Sequence, residues 1–453
     1  MLKAVNPATG ELIRQYPEHD EQEVQRRLEL AEQAFGSWRR FDYEERAPHL
    51  TAVADLLRER RADFARLMTE EMGKTLAAAE SEVDKCAWAC DFYAENAGRF
   101  LAAETVATDA AKSFVRYDPI GPVLAIMPWN FPFWQFFRFA APALMAGNVA
   151  VLKHAANVPG SALAIEAVFR EAGLPEGVVT TLLVSSGRVK YLIGHPAVRA
   201  VTLTGSDRAG REVAAEAGRC LKKTVLELGG SDPFIVLDDV DPAEVARQAA
   251  KARTINSGQS CIAAKRFIVE AAVADRFEEE FTRAMEGLKV GDPMDGGTDV
   301  GPMAREDLLD ALDDQVKRTV QAGAELRTGG HRLERKGWYY APTVLVGVEP
   351  GMAAFDEETF GPVAAVIRAR DSAHAVELAN RSHFGLGASV WTGDAARGED
   401  LAAEIDSGSV FVNGAVKSDP RLPFGGVKDS GYGRELAEVG IREFVNIKTV
   451  WIK

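Results

Sequence analysis

Three residues that together could carry an acyl group on sulfur lie in this chain. Cys261 ends the run Asn256-Ser257-Gly258-Gln259-Ser260-Cys261, Glu227 sits in Leu226-Glu227-Leu228-Gly229-Gly230, and Asn130 in Pro128-Trp129-Asn130-Phe131-Pro132. A thiol supplies the nucleophile, a carboxylate the base, and an amide N–H a donor to a developing oxyanion. Free cysteine titrates near ~8.5, so Cys261 needs a site that activates it. Read singly, Asn130 is an ordinary turn residue between prolines, and Glu227 an ordinary strand-end carboxylate. The ordered set is far more specific than any one of its parts.

A nucleotide is the second implication. Thr204-Gly205-Ser206-Asp207-Arg208-Ala209-Gly210 joins a β-rich run to a helical one, where glycine and a helix N-terminus admit a phosphate. The pattern departs from GxGxxG and is weak alone. Lys153, at the end of another β-rich run, strengthens it.

The elements that must position these groups alternate. Val24, Leu28, Ala31, Phe35 and Trp38 form one helical stripe, and Leu50, Val53, Leu57, Phe64, Leu67 and Met68 form a second. Short apolar runs follow at Val123–Met127, Val149–Leu152, Val178–Val184 and Ala200–Thr204, with helical stretches between them. In one stretch Ser161 is the expected N-cap and Gly173 the stop; in another Asp241 caps and Pro242 takes the first position. Such alternation predicts an α/β fold with parallel, doubly wound sheets. Cys261 falls on a loop between a helix end and the expected strand Arg266–Glu270.

The chain has 453 residues, which implies two or three domains, and a net charge of −14, which disfavours general nucleic-acid or anionic-membrane binding. Four cysteines, Cys86, Cys90, Cys220 and Cys261, are too few for a disulfide framework, and no ligand spacing for a metal is present. The most apolar window, Val123–Gly147, is interrupted by Pro128, Pro132, Arg138 and Pro142, and the N-terminus has no signal or transit pattern. A cytoplasmic enzyme is the expectation.

The motifs around Asn130, Glu227 and Cys261 resemble those of the aldehyde dehydrogenase superfamily over nearly the whole chain, from Asn6-Pro7-Ala8-Thr9-Gly10 to Gly425-Gly426-Val427-Lys428. The resemblance implies a Rossmann-type cofactor domain (1–100 and 120–228), an α/β catalytic domain (229–424) and a small β arm for oligomerisation (101–119 and 438–453), in a homodimer or homotetramer. It implies a thiohemiacetal and then a thioester on Cys261, hydride transfer to a nicotinamide, and hydrolysis with Glu227 as base. Asn130 and the Cys261 backbone N–H would hold the oxyanion. By the same resemblance Trp129, Lys153, His154, Ala155, Ala156, Gly205, Ser206, Leu228, Glu358 and Phe360 contact the cofactor.

Position 156 bears on which cofactor. NAD-preferring relatives often carry Glu there; Ala156 would not repel a 2′-phosphate and Lys153 could pair with it, which favours NADP, with NAD as the alternative.

Among the superfamily the chain is most similar to the shorter bacterial succinate-semialdehyde dehydrogenases. Arg138 and Ser418, with Lys417 or Arg421, are the expected carboxylate ligands. A second arginine that some members carry six residues before the nucleophile is Ile255 here, with Arg253 two residues earlier. Another small aldehyde or semialdehyde is the alternative substrate. A non-redox cysteine hydrolase would need a basic partner, and His154, His195 and His374 fall in no recognisable triad segment. An enzyme-derived binding protein would have had no need to keep all three groups, and a CoA-acylating enzyme would lack Glu227.

Overall fold

The computed structural model describes residues 1–453. The four short apolar runs between Val123 and Thr204 become neighbours in a six-stranded sheet. Its order is Gly431–Tyr432, Lys223–Glu227, Ala200–Thr204, Pro122–Met127, Val149–His154, Val179–Thr181. All neighbours are parallel except Gly431–Tyr432, which runs antiparallel to Lys223–Glu227. The chain steps outward from Pro122–Met127 in one direction, then returns to its other side with Ala200–Thr204. The carboxyl ends of those two strands therefore flank a crevice, the usual ligand seat of an open α/β sheet. Trp129-Asn130 leaves one of them and Gly205-Ser206 the other.

A seven-stranded sheet follows, in the order Glu325–Thr328, Thr343–Val346, Val363–Ala369, Arg266–Glu270, Pro233–Val236, Gly387–Trp391, Ser409–Val412. Phe234, Val236, Phe267 and Val269 enter a core on one face, while Ile235, Leu237 and Ile268 enter another on the opposite face. Burial on both faces explains why these strands read as unbroken apolar runs and not as alternation. The segments 104–105, 112–119 and 445–452 form a separate three-stranded antiparallel sheet. No helix is long and apolar enough to cross a membrane.

Most expected elements are present, with two local differences. The run Val178–Val184 pairs only at Val179–Thr181. Ser161 is not an N-cap: the helix starts at Pro159, and Ser161 lies in its first turn. Glu71, from the helix Arg61–Met72, accepts from Gly160 N, Ser161 N and Ser161 Oγ at 2.8 Å each, so a distant carboxylate caps this helix. Burial pushes Glu71 up to about 7 against these three hydrogen bonds. Asp241 caps as expected, accepting from Ala243 N at 3.2 Å.

Candidate active site

The loop bearing Cys261 is held from below by two buried cations. Lys265 Nζ donates to the carbonyls of Ser260, Cys261 and Ala263 at 3.0, 2.8 and 3.1 Å. Arg253 donates to Ala264 O and Gly258 O, both at 2.7 Å. Gly258 has φ +77°, and a Cβ there would lie 2.3 Å from Gly361 O, so only glycine fits this bend. Arg253 is thus spent on the loop, and Ile255 reaches the cavity in its place. The absent second arginine is not supplied from two residues away.

Asn130 is buried beside this loop. Its Nδ2 donates to Gln259 O at 3.2 Å, and Asn256 Nδ2 donates back to Asn130 O at 2.8 Å. One Asn130 N–H remains for a ligand. The loop is pinned further by Glu82, which accepts from Phe133 N and Trp134 N at 2.8 and 2.9 Å and pairs with buried Lys74. Removing one member of such a buried pair typically costs ~3–5 kcal/mol.

Cys261 lies where two cavities meet. One, of about 240 Å³, is lined by Lys85, Trp134, Arg138, Ile255, Ser418 and Phe424 among others, and the other, of about 230 Å³, by Trp129, Asn130, Gly205, Ser206, Leu228, Glu358 and Phe360. Burial pushes the Cys261 thiol up to about 12, with Arg138 and Lys265 acting in the opposite sense. At rest the sulfur is a thiol.

Glu227 is buried and lines neither cavity. Neither carboxylate oxygen has a hydrogen-bond partner. A Cβ on Gly425 would lie 2.7 Å from Glu227 Oε1, so that glycine makes the room for this seat. Burial, and then Glu435, hold Glu227 well above the usual carboxylate range, while Arg138 acts against them. Glu435 ion-pairs with Arg138, whose Nη2 also donates to Thr204 Oγ1 at 3.2 Å. Sequence reasoning missed Glu435, although Gly433-Arg434-Glu435 follows the Gly425-Gly426 motif closely. Lys85, Gln135 and Lys265 were missed as well. None stands in a motif; Lys265 is four residues from Cys261 in sequence, whereas only the fold brings Lys85, Gln135 and Glu435 to this site.

Six expected cofactor residues, Trp129, Gly205, Ser206, Leu228, Glu358 and Phe360, share the second cavity. Trp129 and Phe360 meet edge to face with centroids 5.7 Å apart. Glu358 accepts from Gly230 N at 3.0 Å. The other four sit at the end of Val149–His154, outside that cavity. Lys153 is buried without an acidic partner, and burial alone lowers its pKa. His154 is turned inward: Nε2 lies 2.8 Å from Pro132 O, Nδ1 accepts from Ala155 N at 2.8 Å, and burial lowers it to about 4. It braces the Asn130 loop as a neutral ring. Ala156 is exposed, and the Asn157 amide beside it has no partner.

Arg138 and Ser418 share the first cavity, but Arg421 does not. Arg421 forms a bidentate pair with Asp419 at 2.8 and 2.6 Å, with its guanidinium 5.5 Å from the Trp88 ring centroid.

Residues 1–450 match the Aldehyde dehydrogenase family. The chain belongs to that family. This aldehyde dehydrogenase is 51% identical over 451 residues, covering 100% of this chain and 99% of the other, to a protein named as a probable succinate-semialdehyde dehydrogenase, NADP(+), of Synechocystis sp.. It is 50% identical over 454 residues to succinate-semialdehyde dehydrogenase, NADP(+), 1 of Mycobacterium tuberculosis, with coverage of 100% and 99%. A crystal structure of succinic semialdehyde dehydrogenase from Streptococcus pyogenes, in complex with NADP+, superposes with a TM-score of 0.97 at 39% identity and covers 100% of both chains. The family expectation drawn from the Asn130, Glu227 and Cys261 motifs is borne out, and so is the α/β fold. The enzyme is an NAD(P)-dependent aldehyde dehydrogenase.

Proposed function

We propose that this enzyme oxidises succinate semialdehyde to succinate with NADP through a thiohemiacetal and then a thioester on Cys261. The observation that carries the reading is the position of Cys261 between a cavity bearing Arg138 and Ser418 and a cavity bearing the Gly205-Ser206 turn. The relatives' names and the NADP+ in the Streptococcus structure support it. The Cys261 thiol releases its proton to solvent as Sγ adds to the aldehyde carbon, and the free Asn130 N–H holds the oxyanion formed from the carbonyl. NADP accepts the hydride when bound. Glu227 leaves its buried seat for the cavity, where solvation restores its basicity, and deprotonates the water that cleaves the thioester. Arg138 Nη1, whose guanidinium is otherwise engaged, and Ser418 Oγ take the distal carboxylate.

Lys153 and the Asn157 amide fit the phosphate-bearing end of NADP, because each is buried without a partner. A homodimer or homotetramer assembled through the three-stranded sheet belongs to the same reading, supported by exposed Ile447, Trp451 and Ile452 on it. A cytoplasmic setting suits four unpaired cysteines.

Initial rates with succinate semialdehyde and butanal, each with NADP and NAD, test the reading. A preference for butanal would overturn the substrate, and a preference for NAD the cofactor. Ala156→Glu is expected to lower kcat/KM for NADP by ~1–2 kcal/mol, about 5- to 30-fold, a modest figure because the position is exposed and screened. Unaltered NADP kinetics would place residue 156 away from the 2′-phosphate.

Arg138→Ala should be less selective than a simple carboxylate ligand would be. It strips Glu435 of its counter-ion and removes the one group shown to pull Glu227 down most. A loss of ~3 kcal/mol, roughly 150-fold in kcat/KM, is expected for succinate semialdehyde. A smaller but clear loss is expected for butanal, and an unchanged butanal rate would show that the Glu435 pair is incidental.

A further inference from the structure

One cation at the substrate cavity has no anion of its own. We propose that Lys85 determines substrate specificity: its ammonium, together with Ser418 Oγ, binds the distal carboxylate of the substrate, and Arg138 is the second cation on that group. This rests on the semialdehyde reading above.

Lys85 lies on the helix Leu76–Phe100, one face of which presents Ala78, Glu82 and Lys85 to the cavity at helical spacing. Its Nζ donates to Ser418 Oγ at 2.6 Å and lies 4.5 Å from the Trp134 ring centroid. It makes no ion pair. Two other lysines of this region show what a purely structural lysine looks like. Lys74 is paired with Glu82, and Lys265 is satisfied by three carbonyls with Glu358 Oε1 3.5 Å away. Lys85 has one hydroxyl, which can turn its own proton to a ligand. A half-buried ammonium with so little compensation gains from a ligand that supplies the charge.

The nearby charges do not fill that role. Glu82 is occupied by Lys74 and two backbone N–H groups. Asp419 is occupied by Arg421. Arg138, on the helix Trp134–Met145, brings a second positive charge to the same cavity. Lys417 also borders it but is exposed. Burial and then Arg138 push Lys85 down to about 8, while Cys86, Asp419 and Glu82 act in the other direction. The cationic form is therefore lost as pH rises through about 8. KM for an anionic aldehyde should climb over that range, whereas KM for an uncharged aldehyde should not.

The test compares Lys85→Met and Lys85→Arg in the full-length enzyme, with melting temperatures to establish folding. The ratio of kcat/KM for succinate semialdehyde to that for butanal should fall about 10- to 100-fold in Lys85→Met, as for loss of a hydrogen bond to a charged partner. Lys85→Arg should recover most of that ratio. Succinate, as a competitive inhibitor against butanal, should weaken by a similar factor in Lys85→Met and not in Lys85→Arg. An unchanged ratio, or equal losses in Met and Arg variants, would overturn the proposal. If the wild type prefers butanal while succinate inhibition still depends on Lys85, the substrate reading fails and the carboxylate site stands.

Discussion

Cys261→Ala is expected to reduce aldehyde oxidation by at least ~10⁴-fold, with folding intact. No other thiol can take over. Cys86 and Cys90 are fully buried on the helix Leu76–Phe100, where burial holds both thiols far up. Cys220 follows the far end of the helix Asp207–Arg219 and borders neither cavity. The loop should survive the change, because Lys265 and Arg253 grip its backbone carbonyls and not the Cys261 sulfur. Stability should change by only about 1 kcal/mol. Steady-state rates and a melting curve check both halves. Turnover within tenfold of wild type would remove Cys261 from the chemistry.

The chemistry of this site was more legible in the chain than its electrostatics. Asn130, the Gly205-Ser206 turn and Cys261 each follow an element whose pattern is plain, so the strand ends at Met127 and Thr204 and the loop after the helix Pro242–Thr254 could be placed in advance. The fate of each charge could not. Arg138 meets Glu435 across almost 300 residues of sequence, and Glu71 caps a helix 90 residues away. Such pairings depend on how two sheets and the N-terminal helices pack, which periodicity does not encode. His154 shows the same limit. Lys153 beside it has no acidic partner, yet the His154 ring turns to Pro132 because successive side chains of the strand Val149–His154 face opposite ways.

Glu227→Gln is expected to separate the two halves of the reaction. The first hydride transfer should proceed within about tenfold of wild type, and hydrolysis of the thioester should slow by ~10²–10⁴-fold, the usual contribution of a general base. Mixing enzyme, NADP and aldehyde should give a burst of reduced cofactor equal to the active sites, then a nearly flat trace. The fold has little reason to object. Glu227 makes no side-chain hydrogen bond, and neutralising it removes a repulsion with Glu435. The pH profile supplies an independent readout. Burial, and then Glu435, hold Glu227 above the ordinary carboxylate range, so its basic form is scarce at low pH and grows as pH rises above that range. Wild-type kcat should therefore rise with pH wherever deacylation limits it, and the rise should be lost in the Gln variant. Unchanged steady-state turnover, or equal loss of burst and turnover, would show that Glu227 is not the deacylation base.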